Sequence, residues 1–97
     1  MPTVRPLTKA EREREAIERE IQHASEDLLR IIGERRGRDD KTYAQMADFI
    51  GVSPDRYQRW RRKGELKGAS LGRVVTVARK LGYRVVFEPI NPSKNQM

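Results

Sequence analysis

The run Ile50-Gly51-Val52-Ser53-Pro54-Asp55 leaves this chain little choice, because one helix must stop there and another must start at once. Gly51 is free to take the left-handed conformation that closes a helix. Ser53 is a good N-cap, and Pro54 has the fixed φ and the missing donor that suit a first helical position. Asp55 then sets a negative charge against the positive end of the new helix. Upstream, Thr42-Tyr43-Ala44-Gln45 is a capping box, followed by Met46, Ala47, Phe49 and Ile50 to bury. Downstream, the second helix runs to about Lys63 and is closed by Gly64. Two short helices thus meet at a tight turn, with the small Ala47 allowing close approach and Val52 filling the space beneath the turn.

The flanking sequence supplies further helices. Thr8-Lys9-Ala10-Glu11 is another capping box, and no proline intervenes from there to Arg36. Ile17, Ile21, Ala24, Leu28 and Ile31 fall four-three-four-three, a heptad seam that Leu29 and Ile32 widen. Ser25-Glu26-Asp27 offers an alternative in which a second helix restarts midway. The alternating charges Glu11-Arg12-Glu13-Arg14-Glu15 leave the front without an apolar face, so it projects into solvent or pairs with another chain. The seam behind it serves either core packing or a dimer contact. Gly37-Arg38-Asp39-Asp40-Lys41 reads as a polar turn. Ser70 caps a last helix carrying Leu71, Val74, Val75, Ala78 and Leu81, ended by Gly82. Tyr83-Arg84-Val85-Val86-Phe87-Glu88 is rich in β-branched and aromatic residues and predicts a short strand, limited by Pro89. The expected divisions are a disordered tail over 1–7, a charged helical extension over 8–24, a two-helix-centred domain over 25–82, a strand over 83–90 and a disordered tail over 91–97.

Charge narrows the function. Residues 1–40 carry nine Lys/Arg against ten Asp/Glu, whereas residues 41–97 carry twelve against four, a balance of +8 within a net +7. A field of that sign draws polyanions, nucleic acid above all. No basic amphipathic helix with a Trp/Phe/Leu face favours a membrane surface. Cysteine is absent, which removes disulfides, thiolate metal sites and cysteine nucleophiles and suits a cytoplasmic location. Ninety-seven residues give one modest core with no place for a deep pocket, so neither enzyme activity nor a cofactor is expected. His23 is the single histidine, and no metal site is expected around it.

At this point the chain resembles the XRE/Cro–cI family of helix-turn-helix DNA-binding domains. The resemblance rests on Thr42-Tyr43-Ala44-Gln45-Met46-Ala47-Asp48-Phe49-Ile50-Gly51-Val52-Ser53, on Arg59-Trp60, and on Ser70-Leu71 through Ala78 to Leu81-Gly82. It covers about residues 25–82. The chain departs from the family pattern at Tyr43, where glutamine is usual, at Tyr57, where a β-branched residue is usual, and in the longer link over 64–68 that precedes Ala69. The resemblance implies a mainly α fold, a helical bundle of the lambda-repressor-like type, with the helix over 54–63 entering a major groove. Tyr57 and Trp60 are then placed inward. The resemblance assigns Ser53, Pro54, Asp55, Gln58, Arg59 and Arg62 to base-edge or adjoining positions. Gln58 suits adenine, an outward arginine suits guanine, and Asp55 accepts from cytosine, orients Arg59 or repels wrong sites. Thr42, Tyr43, Arg61 and Lys63 are expected to position the phosphate backbone.

One such unit spans few base pairs, so two copies on an inverted-repeat operator are expected. An isolated strand needs a partner, and pairing with its copy in a second subunit would bury Tyr83, Val85 and Phe87 on one face. Two functions follow as expectations. The first is a homodimeric transcriptional repressor or autoregulator of phage or mobile-element type. The alternative is an antitoxin that binds a toxin protein and represses its own operon.

Overall fold

A computed structural model of the chain describes residues 6–66 and 68–90. The protein is mainly helical: α1 spans Lys9–Arg38, α2 Tyr43–Ile50, α3 Pro54–Lys63 and α4 Leu71–Lys80. Each start is fixed by the cap that the local sequence demands. Thr8 and Glu11 exchange side-chain-to-backbone bonds at 3.0 and 3.1 Å, and Thr42 and Gln45 do the same at 2.9 and 3.1 Å. Ser53 accepts from the Arg56 N–H and Ser70 from the Arg73 N–H, both at 3.1 Å. Gly51 closes α2 at φ 82° and Gly64 closes α3 at φ 69°, backbone conformations that cost a side-chain-bearing residue more than glycine.

α1 is one unbroken helix, so the restart at Ser25 is not taken. The Ser25 hydroxyl is instead buried and accepts the Leu66 N–H at 3.1 Å, which ties the loop after α3 to the middle of α1. The expected turn at 37–41 begins later than the sequence suggests, because Gly37 and Arg38 stay helical. The reversal falls to Asp40, at φ 52° in the left-handed region where aspartate is among the better-tolerated non-glycine residues.

The core is built by α2, α3 and α4 against the second half of α1. Ile32, Met46, Ala47, Ile50 and Val77 are fully enclosed, with Val52, Tyr57, Trp60, Leu66, Ala78 and Leu81 completing the cluster. The seam of α1 therefore divides in two. Ile32, rather than the heptad position Ile31, is the deep anchor, with Leu28, Leu29 and Ile31 partly buried beside it. Ile17 and Ile21 stand exposed within the chain, on a helical half that projects beyond the core. Residues 83–90 take no strand pairing, and there is no sheet among the described residues. A single extended segment has no ladder in which to pair its donors and acceptors. Tyr83 is tied back through its N–H to the Ala78 carbonyl at 2.9 Å, and Val86, Phe87 and Ile90 lie open. The tail expected over 91–97 lies outside the described residues, as does most of that over 1–7.

Candidate nucleic-acid interface

α3 holds its polar face outward because Tyr57 and Trp60 are drawn into the core. Both belong to one side of a helix, and about 100° per residue then puts Asp55, Gln58, Arg59 and Arg62 together in one stripe opposite them. All four are exposed, as are Ser53 and Pro54 at the N-terminal end of the stripe. The six residues expected to read base edges are thus all exposed, four of them in the stripe. Asp55 makes no ion pair with Arg59, so the orienting role considered for that carboxylate has no counterpart in the structure. Arg56, Arg59, Arg61, Arg62 and Lys63 form no ion pair among the described residues either. Five uncompensated cations on a ten-residue helix make a concentrated positive field.

The expected backbone-positioning residues divide into two groups. Thr42 caps α2, and the next residue, Tyr43, has its ring 6.1 Å from that of Tyr57 in an edge-to-face arrangement. The Arg61 guanidinium lies 3.7 Å from the Tyr43 ring centre. Thr42, Tyr43 and Arg61 therefore form one cluster on one flank of α3. Lys63 is separate, in a depression with Arg56, Arg59 and Glu65 on the other flank. Burial pushes the Tyr57 hydroxyl above its ordinary pKa, and the nearby Arg61 and Arg36 guanidiniums oppose that rise.

Arg36 belongs to this neighbourhood although no sequence pattern singles it out. It sits in the last turn of α1, 4.4 Å from the Tyr43 ring centre, and donates to the Lys41 carbonyl at 3.1 Å. Arg35 and Arg38 in the same turn are held by Asp39, at 2.7 and 3.6 Å, and the Arg35 hydrogen bond keeps the Asp39 carboxyl below its usual pKa. Only a capped helix end at Arg38 and a short return to Tyr43 bring Arg36 beside the ring, and no spacing rule contains that turn.

Trp60 is nearly enclosed and acts as core. His23 lies on the exposed half of α1, and among the described residues no group of His, Asp or Glu side chains could hold a metal ion. No described helix is long and apolar enough to cross a membrane. Tyr83, Val85 and Phe87, the expected dimer residues, are at least one-third exposed in the chain by itself, Phe87 most of all at 87%. An apolar groove of about 310 Å³ runs between α1 and the start of α4, lined by Ile21, Ala24, Leu28, Leu66, Ala69 and Val74. Comparison with protein-family models, with curated proteins and with solved structures finds no match for this chain.

Proposed function

We propose that the protein binds double-stranded DNA sequence-specifically as a homodimeric transcriptional repressor or autoregulator. In this reading α2 and α3 are a helix-turn-helix of the lambda-repressor-like type, and α3 enters the major groove. The observation that carries it is the outward stripe Asp55, Gln58, Arg59 and Arg62, exposed and unpaired over about 10 Å of helix. Its donors and acceptors match base edges, while the arginines and lysine around it supply the sequence-independent attraction to phosphates. Residues 83–90 complete the unit by pairing antiparallel with a second copy, which buries Tyr83, Val85 and Phe87 and satisfies an otherwise open backbone. The expected partners are an inverted-repeat operator and a second copy of the chain, in the cytoplasm, with no catalysis and no cofactor. Selection from randomised duplexes at about 150 mM salt, with stoichiometry read by light scattering, tests all of this. An enriched inverted repeat bound by two chains supports the reading. Generic, salt-sensitive binding with no enriched sequence overturns the sequence-specific part.

A second reading is an antitoxin that also binds a toxin protein. The apolar groove beside Ile21, continued outward by the exposed Ile17, is the observation that favours it. Co-expression with the product of the neighbouring gene tests it. A stable complex that Ile17→Asp and Ile21→Asp abolish supports the antitoxin, and separate elution of the two proteins removes it.

A further inference from the structure

Two guanidiniums converge on one tyrosine ring with no carboxylate to neutralise them. Arg36 comes from the last turn of α1 and Arg61 from the last turn of α3, at 4.4 and 3.7 Å from the ring centre of Tyr43 in the first turn of α2. Their charges are therefore no more than about 8 Å apart, the sum of those two distances. That is about one screening length at physiological salt, so their repulsion is only partly damped. Arg36 is half-buried and bonded to the Lys41 carbonyl, which removes much of its freedom to swing away. Neither arginine has an ion-pair partner among the described residues, although Asp39 takes both Arg35 and Arg38 one residue and two residues away from Arg36. Asp39 thus goes to the neighbours of Arg36, and Asp40 forms no ion pair with either arginine. The Tyr43 ring is partly exposed, so a ligand can reach its edge.

We propose that Arg36, Tyr43 and Arg61 together form a seat for one phosphodiester of the DNA backbone, which makes the end of α1 part of the interface. A single anion between two planar forks relieves their repulsion and accepts from both. The position agrees with the chemistry. Arg61 lies about 100° around α3 from the outward stripe, on the flank where a helix lying in a major groove meets a sugar-phosphate strand. A nucleobase fits less well, because the Tyr43 ring is already covered by guanidinium. This inference rests on the DNA-binding reading and extends it to a third helix.

The test measures binding of a short fluorescein-labelled duplex by anisotropy between about 50 and 200 mM salt. For Arg36→Gln, the slope of log affinity against log salt should fall by about 1 per bound chain, and Arg36→Lys should restore most of it. Arg19→Gln removes the same formal charge from the projecting half of α1 and should leave the slope as it was. A purely structural Arg36, supporting only the Lys41 carbonyl, would lower the melting temperature without moving the slope, and that result overturns the seat. If Arg36→Gln does not fold, the arginine side-chain N–H resonances of the unmodified protein give the answer. Arg36 and Arg61 should shift with one midpoint as duplex is added, and an Arg36 signal that stays still while Arg61 moves overturns the proposal. If the unmodified protein binds no duplex at all, the DNA-binding reading itself fails and the seat goes with it.

Discussion

The hydroxyl of Ser25 and the backbone N–H of Leu66, forty-one residues apart, meet in a 3.1 Å hydrogen bond inside the protein. Leu66 is itself buried, so its N–H has no water to fall back on, and Ser25 sits where the packed half of α1 begins. Ser25→Ala should therefore destabilise the fold by about 1–3 kcal/mol in urea unfolding, the cost of a buried donor left unmade. Amide exchange should accelerate first at residues 64–69. A variant as stable as the parent would mean that the loop re-pairs its donor elsewhere.

Glycines separate into two kinds by backbone angle alone. At Gly51, φ is 82° and an added Cβ would meet only the end of the Lys80 side chain, at 3.9 Å. Gly51→Ala should thus cost about 1–2 kcal/mol through conformation rather than collision. Gly33 lies within α1 with open space around it, and Gly33→Ala should add about 0.5–1 kcal/mol of stability. Thermal melts of the two variants should move in opposite directions.

Acid should loosen the corner between α1 and α2 through Asp39. Its carboxyl is held below the ordinary range chiefly by the Arg35 hydrogen bond, so its contribution is complete above the unfolded-state pKa. The contribution is lost as pH falls through the lowered folded-state value. Asp39→Asn should be less stable than the parent at pH 7, with the difference closing as pH falls into the carboxylate range. Urea midpoints of the pair at pH 7, 4 and 2 check this, and a difference independent of pH would assign it to shape rather than charge.

Base reading and backbone positioning have different signatures. Arg59→Ala, on the outward stripe, should cost about 1–3 kcal/mol on the selected operator and relax preference at one base step. Lys63→Ala, on the far flank beside Arg56 and Glu65, should weaken every duplex alike and reduce the salt slope by about 1. Competition binding against single-base operator variants distinguishes them.

Phe87 is 87% exposed in the chain by itself, so Phe87→Asp should leave the unfolding free energy of a dilute monomer within about 0.5 kcal/mol of the parent. Sedimentation velocity should show a loss of dimer at concentrations where the parent associates. An unchanged dimer would move the contact to the exposed seam at Ile17 and Ile21.

Local chemistry was legible in the sequence because it acts within a turn of itself. Thr8, Thr42, Ser53 and Ser70 each bond a backbone donor three residues on, and all four caps stand where the sequence put them. The inward placing of Tyr57 and Trp60 followed from one helical face and also holds. What escaped was non-local. Ser25 looks like a cap until Leu66 arrives to use its oxygen, and Ile31 looks deeper than Ile32 until α2 and α4 choose which side of α1 to cover. Arg36 carried no signal, since a turn expected over 37–41 does not say which arginine before it lies beside Tyr43.

The continuity of α1 has a mechanical meaning. Residues 9–20 extend about 18 Å beyond the groove at Ile21 with no break, glycine or proline before Gly33, and the same rod ends beside Tyr43. A hinge at Ser25 would have let the outer half swing while the corner between α1 and α2 stayed still. Without one, a load applied near Ile17 meets no compliant joint in the helix and falls first on the Ser25–Leu66 bond and the packing of Ile32.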